Sequence, residues 1–405
     1  MFSSTVFLFY LAFIAILSGA RPTRRRLCPA RSNTAVASSS LPIQVIPPPL
    51  TIVKGSMEPT PVPTSSAPSS TDEPTTTSEP TSTREPTASP TTTRASSSSP
   101  VTTTRASSTT RTSTSAPAPT GSLPGLLGRL FPVGGYSTSW STSPAASNPL
   151  LLADSTFRPQ KVLRSVVHTY TSAPDGKRAM KAHYPRGSYT FGNFPQGGFS
   201  FYAPGPASLD FTNAKEATFS YSVFFPKGFA FQLGGKLPGL YGGNSDAEAT
   251  GCSGGRRSTK CFSARLMWRA DGAGEFYTYL PPYDVPGFEA NRRVCNVAPQ
   301  SDCNPTYGAS VGRGSFKFAT GEWTTISERV RLNDPNQANG EIQLFVNGKS
   351  VINVNGLKLV DGSGDGKIRG MQMQTFFGGS KPEFASPKDQ DVYFSDFSAA
   401  ITQRF

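Results

Sequence analysis

A chain of 405 residues has the length of two or three domains, yet about a third of it is too poor in apolar residues to build a core. The formal net charge of +13 points to a polyanionic partner, while two histidines and five cysteines in spacings that match no zinc template argue against a zinc site. No helix-turn-helix, zinc-finger or RNP-like pattern is present, which argues against nucleic acid as that partner.

In chain order, Val6–Leu17 is an apolar run too short to cross a bilayer, and the small residues Ser18-Gly19-Ala20 follow it, as in an export signal over residues 1–20. One feature departs from that pattern: Met1–Thr5 carries no Lys or Arg, and the basic cluster Arg24-Arg25-Arg26 comes after the run, which leaves a retained anchor as the lesser alternative. Residues 21–147 are dominated by Ser, Thr and Pro, the composition of a disordered, extended and O-glycosylated stalk. Such a stalk either holds a domain away from a wall or only solubilises it. The expected protein is secreted, extracellular or cell-wall associated, has no membrane contact beyond the signal, and is a monomer. In that compartment an acidic polysaccharide matches the charge.

Residues 148–405 are rich in Phe, Tyr, Gly and Val, enough for one large domain. Short alternating runs bounded by Gly, Pro and Asn, with no sustained helical period, predict an all-β sandwich or barrel with few helices. Cys252 with Cys261 and Cys295 with Cys303 form two close pairs, expected as local disulfides in an oxidising compartment, and Cys28 is left over. The clearest hairpin joins Ile342–Val346 to Ser350–Ile352 across Asn347-Gly348, a dipeptide suited to a type I′ turn. With Trp323–Leu332 before it and Val392–Phe397 near the end, these strands resemble those of concanavalin-like β-jelly rolls. That resemblance concerns fold alone.

The stretch that carries chemistry is Phe231–Asp284. Cys261–Arg269 and Glu275–Pro281 alternate with period two and are joined by a Gly-containing turn. One face collects Phe262, Ala264, Leu266, Trp268, Phe276, Thr278 and Leu280, a core face. The other collects Ser263, Arg265, Met267, Arg269, Glu275, Tyr277 and Tyr279. A turn centred on 271 or 272 sets Arg265 opposite Tyr277 or Tyr279, so the arginine and both tyrosines point the same way. Cross-strand packing or a solvated face is the plain alternative for such a group. Against it stands a specific chemistry. β-Elimination from a uronate requires neutralisation of the carboxylate, a base for the C5 proton and an acid for the departing O4. An Arg or Lys can do the first, and a Tyr can act as base or acid if a nearby cation lowers its pKa. In mannuronate or glucuronate the C5 hydrogen and O4 lie on one side, so a single tyrosine could carry the proton from one to the other.

Three motifs, Gly234-Gly235-Lys236-Leu237-Pro238-Gly239-Leu240-Tyr241-Gly242-Gly243, Ser263-Ala264-Arg265 with Trp268-Arg269, and Tyr277-Thr278-Tyr279, resemble those of polysaccharide lyase family 14. That family includes alginate lyases of molluscs and algal viruses, glucuronan-acting members and many uncharacterised fungal proteins, and the chain resembles a secreted member of the fungal type. The resemblance spans His168 to Ala400. It implies a β-jelly roll with a cleft on the concave sheet, no obligatory metal or organic cofactor, and catalytic residues Lys236, Ser263, Arg265, Tyr277 and Tyr279. Lys236 and Arg265 would neutralise the carboxylate, the tyrosines would supply base and acid in an order left open, and Ser263 would position sugar or water. The loop Asn244–Lys260 would rim the cleft. Gln372 and Gln374 are candidates to bind sugar hydroxyls and Arg186 to meet a second carboxylate, whereas His168 and His183 read as structural. The function implied is β-elimination on a β-1,4-linked polyuronate, polymannuronate or glucuronan. The alternative is a non-catalytic, lectin-like module that binds acidic polysaccharide through the same cations.

Overall fold

The computed structural model describes residues 125–405. The apolar run Val6–Leu17, Cys28 and most of the Ser/Thr/Pro tract lie outside the described residues. Within them the chain forms strands β1 (Thr138–Ser141), β2 (Thr169–Ser172), β3 (Arg178–Tyr184), β4 (Phe199–Ala203) and β5 (Ala214–Phe224). There follow β6 (Gly234–Gly243), β7 (Cys261–Arg269), β8 (Ala273–Tyr279), β9 (Asp302–Cys303) and β10 (Ala309–Lys317). The last are β11 (Trp323–Arg331), β12 (Gly340–Val346), β13 (Lys349–Leu357), β14 (Lys367–Phe377) and β15 (Gln390–Arg404).

These strands make two antiparallel sheets, the β-jelly-roll arrangement expected. One runs β13-β12-β11-β5-β15-β3-β2 with β1 also on β15; the other runs β4-β14-β6-β7-β8-β10-β9. Between them lies one core, to which the first sheet contributes Phe219, Tyr221, Val223, Ile326 and Phe394, and the second Leu237, Leu266, Trp268, Phe276 and Met373. Each such side chain stabilises the fold by about 1.5–3 kcal/mol relative to leaving it in water. The β12–β13 turn has Asn347 and Gly348 at φ 49° and 82°, the paired left-handed conformation that a type I′ turn requires. Both expected disulfides, Cys252–Cys261 and Cys295–Cys303, are formed.

The start of the domain is a correction. Composition assigns residues up to 147 to the stalk, yet helix α1 (Gly125–Leu130) and β1 are folded. Leu130 and Phe131 are buried, Trp140 meets Phe157 edge-on at 6.2 Å, and Ser220 Oγ donates to the Leu130 carbonyl at 2.6 Å. A few large apolar residues among many Ser and Thr suffice to dock this segment on the first sheet.

A bulge in β6 shapes the outer face of the second sheet. The β6–β7 register slips between Leu237 and Leu240. Leu237 and Leu240, three residues apart, therefore both enter the core. Gly239 is required there, because a Cβ would stand 2.1 Å from the Ala264 carbonyl oxygen. From the opposite sheet Tyr221 Oη donates to the Pro238 carbonyl at 3.1 Å, and the Leu240 amide donates to the buried Glu328 carboxyl.

Candidate active site

Strands β6, β7 and β8 lie side by side in the second sheet, and the β7–β8 register is one of the two that the turn allows: Arg265 faces Tyr277 and Ser263 faces Tyr279, with Lys236 beside Met267 on the neighbouring strand. Above them opens a cleft of about 980 Å³ whose lining includes Lys236, Arg265, Tyr277, Tyr279 and Gln374. Its walls come from the 190–193, 253–256, 302–308 and 378–384 loops.

Lys236 Nζ sits 3.4 Å from the centre of the Tyr277 ring and 2.6 Å from Met267 Sδ. Arg265, only 2 % exposed, donates from Nη1 to Gln374 Oε1 at 2.8 Å, and its Nε has no partner among the described residues. Neither cation is paired with a carboxylate among the described residues. Two buried positive charges without counter-ions are costly to hold. Burial, with the repulsion of Arg269 and Arg265, accordingly pushes Lys236 well below the ordinary lysine range, and burial lowers Arg265 as well. A ligand carboxylate entering the cleft would relieve both.

The tyrosines sit 5.9 Å apart, ring centre to ring centre, at 72° to each other. At Tyr277 the neighbouring cations do not bring the phenol below the ordinary tyrosine range. Burial drives its phenol above the ordinary tyrosine range, the Tyr279 phenol adds to this, and Arg269 and Arg265 only partly oppose it. Tyr279 differs in its contacts: its oxygen accepts a hydrogen bond from the Gly255 amide at 3.1 Å, and the Arg265 guanidinium lies 5.9 Å from its ring.

The remaining predicted residues divide. Gln374 lines the cleft, held by Gln372 Nε2 at 2.8 Å and itself donating to Ser200 Oγ at 2.9 Å. Gln372 is 1 % exposed and stands behind Gln374, so it orients Gln374 without reaching the cleft. Ser263 is also 1 % exposed: its hydroxyl donates to the Cys252 carbonyl at 2.9 Å and pins the disulfide loop whose Ser253, Gly254 and Arg256 rim the cleft. The expected contact of Ser263 with sugar or water is replaced by that loop contact. Arg186 is exposed and lies outside the cleft lining, on the 185–187 turn, where its backbone amide donates to Asp389 at 2.7 Å. His168 and His183 pair with Asp154 and Asp391, each at 2.7 Å, away from the cleft. Arg269, Arg313 and Tyr307 also line the cleft. Alternation puts Arg269 on the correct face; Arg313 and Tyr307 carry no signal in the sequence, since loops and a second bulge place them.

Residues 172–397 match the family polysaccharide lyase 14. Among solved structures, a marine PL-14 alginate lyase from Aplysia kurodai is 31% identical with a TM-score of 0.54, over 66% of this chain and 99% of that one. An alginate lyase from a Chlorella virus is 30% identical with a TM-score of 0.50, over 61% of this chain and 93% of that one. No curated protein matches the chain. With more than half of its length in the family match and its motifs assembled in one cleft, the chain belongs to the polysaccharide lyase 14 family and is a polysaccharide lyase.

Proposed function

We propose that this lyase cleaves a β-1,4-linked polyuronate, polymannuronate or glucuronan, by β-elimination in the cleft over β6, β7 and β8. The observation that carries this reading is the pair of buried cations, Lys236 and Arg265, left without carboxylate partners beside two tyrosines. A uronate carboxylate supplies the missing negative charge. Its neutralisation makes the C5 proton acidic, and the arriving anion favours the Lys236 ammonium that burial disfavours.

Tyr279, whose oxygen accepts the Gly255 amide, is the base: that N–H stabilises its phenolate, which takes the C5 proton and becomes the phenol. The C5–H electrons become the C4–C5 double bond and the C4–O4 bond breaks. Tyr277, held protonated by burial, donates to the departing O4. Both rings reach the sugar from one sheet face, which suits a substrate whose C5 hydrogen and O4 lie on the same side. The alginate lyases among the similar structures support polymannuronate as a substrate, and glucuronan shares the same relative geometry. We place the enzyme outside the cell on the strength of the apolar run Val6–Leu17, the Ser/Thr/Pro tract and the two disulfides.

The test is incubation of the full chain with polymannuronate and with glucuronan while the ultraviolet absorbance of the unsaturated product is followed. A rise on either supports the reading and identifies the polymer. Binding without any rise would leave the lectin-like alternative in its place.

A further inference from the structure

Next to the neutralising pair stands a second cationic group. Glu275 is fully buried, and both its oxygens are engaged: Oε1 accepts Arg269 Nε at 2.8 Å with Arg269 Nη2 in ion-pair contact at 2.6 Å, and Oε2 accepts Arg313 Nε at 2.8 Å and Ser310 Oγ at 2.5 Å. Arg313 Nη2 donates to Ser310 Oγ at 2.9 Å. Two guanidinium charges against one carboxylate leave a net positive charge. The Nη1 of each arginine has no partner among the described residues, and both arginines line the cleft.

The backbone is built to present Arg313. The β10–β8 register is interrupted between Val311 and Phe316, and the glycines on either side of Arg313 have φ 64° and 85°, conformations that lift the residue out of the ladder. Arg269 ties β7 to Glu275 on β8 and Ser310 ties β10 to it, so Arg313, on a dedicated bulge, is surplus to joining the three strands. Arg269 lies 5.8 Å from the Tyr277 ring on which Lys236 also rests, so this group adjoins the neutralising pair across a single aromatic side chain.

We propose that Arg269 and Arg313, held in place by Glu275, form a second carboxylate subsite for the uronate next to the one being cleaved. The enzyme then acts on contiguous uronate runs and discriminates against chains whose neighbouring sugar is neutral. This rests on the proposed polyuronate lyase activity. The free Nη1 groups supply charge-assisted hydrogen bonds to that second carboxylate, and Glu275 fixes their aim.

The full chain is assayed for KM and kcat on an intact polyuronate and on the same polymer with part of its carboxyls reduced to alcohols. Arg313→Gln and, independently, Arg269→Gln are expected to raise KM on the intact polymer about tenfold, the size of one lost charge-assisted hydrogen bond. Both should also narrow the parent's preference for the intact over the reduced polymer, and Arg313→Lys should recover part of it. Arg186→Ala, outside the cleft, should match the parent. Unchanged KM and preference in both Gln variants, whether or not their melting temperatures fall, would overturn the subsite and leave the group a structural staple. Absence of product from the parent on every polyuronate would instead overturn the activity itself, and the subsite with it.

Discussion

The outer faces of the two sheets each carry a largely buried arginine, and they treat it in opposite ways. On the first sheet Arg329 is held between Glu216 at 2.6 Å and Glu341 at 2.8 Å; burial works to lower its pKa, and the two carboxylates together outweigh that and raise it. On the second sheet the hydrogen bond that Arg265 makes among the described residues goes to the neutral Gln374, and burial lowers its pKa. The first arrangement is complete without a ligand. The second is short of a negative charge, and Lys236 beside it deepens the deficit. What separates a scaffold face from an active face here is whether the protein supplies the counter-ion or leaves it to the substrate.

The largest expected effect lies at the tyrosines that the active face holds. Tyr279→Phe and Tyr277→Phe should each lower kcat by about 10²–10⁴ with the far-ultraviolet circular dichroism unchanged, as loss of a general base or acid predicts. A loss below tenfold in either would remove that tyrosine from proton transfer.

Exchanging the cations sharpens the contrast directly. Lys236→Met should lower kcat/KM by about 10²–10³ while raising the melting temperature, because an uncompensated buried charge leaves the fold. Arg329→Met should do the reverse, costing roughly 3 kcal/mol of stability by stranding Glu216 and Glu341 while kcat stays near the parent value. Parallel behaviour of the two variants in both assays would dissolve the distinction.

A subtler effect is on pH dependence. Lys236 must be charged to neutralise a carboxylate, and its pKa in the free enzyme is depressed, so kcat/KM should fall on the alkaline side below the ordinary lysine range. The bound carboxylate favours the ammonium, which moves the corresponding limb of kcat to higher pH. Lys236→Arg should erase the limb from both profiles.

The smallest effect concerns the core beneath the cleft. Glu328 is buried, its Oε2 has no partner among the described residues, and burial raises its pKa well above the ordinary value. The folded chain thus keeps a proton that the unfolded chain releases, and stability falls as pH rises from the unfolded carboxyl value towards the folded one. Glu328→Gln should remove up to ~1.4 kcal/mol per pH unit of that slope, measured as urea midpoints across pH. An unchanged slope would mean that Glu328 titrates as an ordinary carboxyl.

By itself the sequence determined the all-β class, the pairing of β7 with β8 to within two registers, the two disulfides and the face shared by Arg265, Tyr277 and Tyr279. Those are local properties: period-two alternation and a short turn leave few choices of side or partner, and a one-residue slip would have put Trp268 and Phe276 in the cleft. Tertiary structure alone decided what each outward side chain then meets. Ser263 shares the active face but is sealed beneath the disulfide loop, Gln372 is screened by Gln374, and Arg186 lies outside the cleft lining. Tyr277 is pushed up and not down because loops distant in sequence close over it, and desolvation outweighs the neighbouring guanidinium groups. Docking of α1 and β1, the bulge under Arg313 and the engagement of both Glu275 oxygens likewise depend on residues far apart in the chain, where alternation carries no information and packing and charge balance set the result.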